Sequence, residues 1–235
     1  ESGPMLDADR GLVRLAAGIA LVGLLAGAFA IAAIPGETPE APDPQALPSA
    51  AMRRLVRATP EGERLACSAF AVREELLATT ADCVLRLEEA RGRGEAVRAL
   101  GVEGAAPLRR LWRHPAYDPA TGSADVGLVE LEGPAATSVV RLATPERLAT
   151  LGGGAALRAL GFALDASRPE PAPLALVGAE GQELLHGEAA ADGAAVLDAG
   201  GAVVGLHAVA GAAPFGTGKV MRADLVLALL SGLGR

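Results

Sequence analysis

Aromatic side chains are scarce in this 235-residue chain, at 3% of its residues. A core built with so few of them must be made from Ala, Val and Leu, and the 51% hydrophobic content supplies these. Lysine is nearly absent, with Lys219 alone against twenty arginines. Positive charge as a whole is in deficit, for the net charge is −7. That balance argues against non-specific binding of nucleic acid, which needs a basic surface. The small arginine clusters Arg53/Arg54/Arg57 and Arg109/Arg110/Arg113 read as solvated faces. Cysteine occurs only twice, as Cys67 and Cys83, too few for a cysteine zinc site or redox motif of the usual spacing. A single disulfide stays open to the pair in an oxidising compartment.

What the chain has instead is one long apolar run near its start. Leu15 to Ile34, LAAGIALVGLLAGAFAIAAI, contains neither charge nor proline. A helix of that length rises about 30 Å, the thickness of a bilayer's hydrocarbon core. It is longer than the apolar core of a cleavable signal peptide, so we expect an uncleaved transmembrane helix over 12–34 after a cytoplasmic tail, 1–11. Arg10 and Arg14 precede it, while Glu37, Glu40 and Asp43 follow it. The positive-inside rule then places the N-terminus in the cytoplasm and the rest of the chain in the periplasm of a bacterial inner membrane. Gly23 and Gly27 make a GxxxG spacing that suits close helix packing, although an Ala/Gly-rich helix also produces it by composition. The stretch 35–50, PGETPEAPDPQALPSA, is rich in proline and acid and reads as a semi-extended spacer.

From residue 51 to 235 the pattern changes to short apolar runs broken by Gly, Pro and Asp, the pattern of an all-β barrel or sandwich. Candidate strands are 68–72, 75–79, 96–101, 108–112, 126–131, 156–161, 174–178, 194–198 and 202–208. The tail RADLVLALLSGLGR reads as a helix that Asp224 can cap and Gly232 can end. LGGGAALRALGF reads as a glycine turn into a strand rather than a nucleotide loop. EELL and RLEEAR read as surface turns.

Four blocks of this region resemble the trypsin-like (chymotrypsin-fold) serine proteases, in that family's order and spacing. They are CSAFAVREELLATTADCV, HPAYDPATGSADVGLVEL, ALRALGFA and AADGAAVLDAGGAVVGLHA. The resemblance implies two Greek-key β-barrels, a short C-terminal helix and a cleft between the barrels. It also implies a disulfide between Cys67 and Cys83, which would stabilise the fold by about 3 kcal/mol. The family's general-base histidine falls on Asp82, its orienting aspartate on Asp125 and its nucleophilic serine on Asp192, with Ala190 and Ala191 just before. Of the three histidines, His114 matches a surface turn, His186 precedes the degenerate serine loop and His207 lies in the strand after it. Ser68 matches a structural position of the family.

On these residues the expectation is a chain that is not an enzyme, with no catalytic residue, no cofactor and no metal. If the barrels superpose on the family's, three carboxylates converge on one cleft. They then splay into water, one takes a proton, or a cation such as Ca²⁺ or an arginine sits among them. We expect a scaffold or accessory subunit of a larger membrane complex, of which a respiratory or photosynthetic one is a candidate. Its partners would be other integral membrane subunits and the lipid bilayer. The alternatives are a regulatory domain that holds extended peptides without cutting them, and an unrecognised serine-type hydrolase.

Overall fold

Strand formation begins just after the proline-rich stretch. The computed structural model describes residues 48–101, 104–134, 138–209 and 213–233. The expected tail, the membrane helix with Gly23 and Gly27, and nearly all of the spacer lie outside these residues. Among the described residues no helix is long and apolar enough to cross a membrane.

A 3-10 turn over Ser49–Ala51 leads into β1 (Met52–Thr59). β2 (Gly62–Arg73), β3 (Leu76–Thr79), α1 (Ala81–Gly92), β4 (Val97–Gly101), β5 (Gly104–Arg113) and β6 (Gly127–Leu131) complete the first half. Its six strands close into a barrel in the order β1-β2-β3-β6-β5-β4. The second half holds α2 (Pro145–Ala149), β7 (Ala156–Gly161), β8 (Glu170–Ala175), β9 (Gly178–Glu180) and β10 (Glu183–Ala191). It continues with β11 (Ala195–Leu197), β12 (Val203–Val209), β13 (Phe215–Arg222) and α3 (Ala223–Gly232). These strands make a seven-stranded sheet, order β8-β7-β11-β12-β13-β10-β9, in which β10 turns back against β8.

Two buried clusters form the core, and the larger one, which fills the first barrel, also takes in Leu160, Leu197, Leu206 and Met221 of the second half. Phe70, Leu77, Leu87 and Leu128 belong to the larger, and Leu157, Leu174, Val196 and Val220 to the smaller. One of the places where the halves meet is a crossing at Ser68. Phe162 N donates to Ser68 Oγ at 2.8 Å, and Ser68 N donates to Asp192 O at 2.7 Å. Gly193 makes this approach feasible: its φ is +75°, and a Cβ there would stand 2.0 Å from Ser68 O.

Several expectations change. RLEEAR is not a turn but the middle of α1, because Thr80 caps that helix by accepting from Cys83 N and Cys83, Val84, Leu87 and Ala90 bury one face. β1, β10 and β13 escaped the sequence reading. The first looked like a charged patch, β10 is rich in Ala, and β13 is interrupted by Gly216 and Gly218, so neither signals a strand. Arg53, read as solvated, is buried, with Nη1 donating to Ala50 O and Met52 O. The C-terminal helix is present, but its cap position is Arg222. Asp224 lies in the first turn and pairs with Arg222 at 3.1 Å. Cys67 and Cys83 form the disulfide that ties β2 to α1.

Candidate functional site

The site grows from the junction of β3 and α1. Thr79 Oγ1 donates to Ser68 O at 2.7 Å and fixes the strand end. Thr80 then starts α1, which puts Asp82 in the first turn, where the N-terminal partial charge favours a carboxylate. From β6's side, the chain passes through Ala124 at φ +49°, the one left-handed non-glycine among the described residues. That conformation costs of order 1 kcal/mol or more and sets Asp125 beneath α1. Asp82 N donates to Asp125 Oδ1 at 2.8 Å. From the second half, the turn between β10 and β11 delivers Asp192, which is buried. All three aspartates singled out in the sequence therefore gather at one place.

Arg86 sits among them. One turn after Asp82 on α1, its Nη1 donates to Asp82 Oδ2 at 2.7 Å, and its Nη2 donates to Asp192 Oδ2 at 2.5 Å. Asp192 Oδ2 also accepts from Thr80 Oγ1 at 3.0 Å, and Oδ1 accepts from Val209 N at 3.3 Å. Burial pushes the Asp192 carboxyl above its ordinary range, against the pull of Arg86 and these donors. Among the described residues no cation pairs with Asp125. Burial first, then the charges of Asp192 and Asp82, raise its carboxyl to about 7, while the N–H groups of Asp82 and Ala81 pull the other way. Two of the three outcomes foreseen for converging carboxylates thus occur together: an arginine bridges two, and the third holds a proton up to neutral pH. Among the described residues no cluster of three or more ligating groups is arranged for a metal. The sequence signal for Arg86 was its i+4 spacing from Asp82, which has meaning only once the segment is helical.

Asp82 and Asp125 face a cavity of about 730 Å³ that both halves line. Tyr117 and Thr121 come from the loop after β5, and His186, Thr217 and Lys219 come from the second sheet. The Tyr117 hydroxyl lies 3.5 Å from Asp82 Oδ1, and burial beside Asp125 and Asp82 pushes its ionisation upward. Lys219 Nζ pairs with Glu183. His186 and His207 are both held neutral by burial, His207 down to about 4. His114 stays at the surface, where its Nδ1 accepts from Ala116 N at 3.2 Å. Sequence reasoning assigned no site role to Tyr117, His186 or Lys219, because only the fold brings their strands and loop together.

The family model described as Trypsin matches residues 46–165, about half of the chain. No curated protein matches the sequence. Among solved structures, kallikrein-related peptidase 10 in complex with Zn²⁺ is similar at a TM-score of 0.57 and 14% identity, over 79% of this chain and 95% of that one. At that identity the likeness concerns the fold. The trypsin match corrects the expectation that this chain is not an enzyme, and neither comparison shows a lost triad.

Proposed function

Because the chain belongs to the trypsin family of serine proteases, we propose that its cleft receives an extended segment of another polypeptide. The observation that carries this reading is the open cavity of about 730 Å³ lined by both halves, with the Asp82 and Asp125 carboxyls on its wall. Its size falls in the range of functional pockets. Backbone groups of an extended peptide can pair along a strand end, while side chains enter the space beneath the loop that carries Tyr117. The test is a titration of the purified chain with labelled random-sequence peptides. Saturable binding that weakens when Tyr117→Ala and Thr217→Val are introduced supports the reading; no saturable binding refutes it.

A second reading, peptide hydrolysis, is favoured by one observation: neighbouring carboxyls in unlike environments. Asp125 keeps a proton near neutral pH while Asp82 is paired with Arg86. Such a pair can take a proton from an attacking water and return one to the leaving amine. Mass spectrometry of the same peptides after incubation detects turnover. Cleavage that disappears in Asp125→Asn supports this reading, and cleavage that persists in that variant excludes it.

We further propose that the apolar run 15–34 anchors the domain in a bacterial inner membrane with the domain in the periplasm, where it serves a larger membrane assembly as an accessory subunit. The uncharged run and the arginines before it support this. Recovery of the full chain in the soluble fraction of cells, without detergent, overturns it.

A further inference from the structure

Beside the carboxyl cluster stand two imidazoles that the peptide-handling reading leaves unused. His207 on β12 is fully buried, and the side chain of His186 on β10 is 2% exposed. Their ring centroids are 4.9 Å apart. β13 runs between their strands: His207 is opposite Val220, Leu184 is opposite Val220 from the other side, and His186 is two residues beyond Leu184. Two residues from Val220 on β13, on the same face, is Gly218, so no side chain separates the rings there. The pairing of β10 with β13 breaks between Leu185 and Ala189, which frees the His186 segment to bulge.

The two rings differ at Nδ1 and agree at Nε2. His207 Nδ1 lies 3.2 Å from Ala191 O. A carbonyl only accepts, so Nδ1 carries the hydrogen and Nε2 of the neutral ring is a free lone pair. That Nε2 is buried with no hydrogen-bond partner among the described residues. His186 Nδ1 faces Glu188 Oε2 at 3.6 Å, beyond hydrogen-bond reach, and its Nε2 is likewise buried and unpartnered. Leaving buried polar atoms unpaired costs about 1–3 kcal/mol each, so such a pair calls for a ligand. An imidazole whose Nδ1 side is turned to a carbonyl or carboxylate while Nε2 stands free is oriented as metal-binding histidines are.

We propose that His186 and His207 form a two-imidazole site, through their Nε2 atoms, for a divalent first-row transition metal of the Cu²⁺, Ni²⁺ or Zn²⁺ kind. Neutral imidazole suits these ions, and Cu²⁺ binds it tightest in the series. The metal reaches the pair from the cleft, whose wall includes His186. Water from the cleft completes the coordination, since no third protein ligand is arranged there among the described residues.

The test is titration of the full chain, stripped with a chelator, with Cu²⁺ alone. Electron paramagnetic resonance then reads nitrogen couplings, and thermal melting reads the stabilisation that binding confers. One saturable Cu²⁺ with coupling to two imidazoles is expected. His186→Asn and His207→Gln should each weaken it tenfold or more and reduce the nitrogen coupling, while His114→Ala leaves it unchanged. Circular dichroism checks each variant, and His186→Asn decides the matter if His207→Gln does not fold. Full-strength binding in folded His186→Asn, a spectrum without imidazole nitrogen, or loss of binding in His114→Ala overturns the proposal.

Discussion

Arg86 is the side chain on which the carboxyl cluster depends, and its replacement by alanine has a calculable consequence. Asp192 has a side chain 2% exposed, and Arg86 is its one charged partner among the described residues, at 2.5 Å. Removing one member of a buried ion pair costs about 3–5 kcal/mol, because the remaining charge stays buried. Asp192 keeps Thr80 Oγ1 and Val209 N as donors, so the lower end applies. Loss of the i,i+4 pair with Asp82 adds only about 0.3–0.5 kcal/mol, since both members are partly exposed. The expected loss for Arg86→Ala is about 3 kcal/mol, read as a lower urea midpoint. Its pH dependence is the sharper signature. Without the cation, the Asp192 carboxyl, already raised by burial, rises further. A carboxyl that binds its proton more tightly when folded stabilises at low pH, and that stability is lost as pH rises through the folded value. The variant should therefore approach the parent on acidification, and Arg86→Ala combined with Asp192→Asn should recover most of the loss at neutral pH. A loss below about 1 kcal/mol, or one that is the same at every pH, refutes the reasoning.

Asp125 makes its own prediction. Its carboxyl titrates near 3.8 when unfolded and at about 7 when folded, so its contribution is complete below the first value and gone above the second. The difference is worth roughly 4 kcal/mol at most. Asp125→Asn should lose this dependence in calorimetry across that window, and parallel parent and variant profiles would rule it out. Gly193→Ala should cost more than about 2 kcal/mol or prevent folding, given its positive φ and the Ser68 carbonyl 2.0 Å from the new Cβ. Gly92→Ala, which meets nothing within 4 Å, should not. Reducing the Cys67–Cys83 bridge should remove about 3 kcal/mol and lower the melting temperature, and an unchanged melting curve under reductant argues against that contribution.

Much of this protein was legible in its sequence because the relevant signals are local. Apolar runs at 75–79, 126–131, 156–161 and 202–208 alternate or fill completely, and each became a strand within a residue of its expected bounds. The blocks around Cys67, Asp125 and Gly193 carried the family pattern, and with it the disulfide and the convergence of Asp82, Asp125 and Asp192. α1 was not seen, although its cap Thr80 and its buried stripe are local, because the surrounding pattern suggested a turn. β10 and β13 were not legible at all. The alanines of β10 and the glycines of β13 have little strand preference, and both are strands because neighbouring strands satisfy their backbone groups.

The electrostatics belonged to the tertiary structure alone. A sequence states which groups ionise, but a pKa depends on distance and on lost solvent, and both are set by folding. The chain by itself determined that acid would line the cleft. Only the packing of α1 against the β10–β11 turn decided that Arg86 bridges Asp82 and Asp192, while Asp125, which no cation among the described residues pairs with, keeps a proton. The same packing set His186 and His207, twenty-one residues apart in sequence, ring against ring.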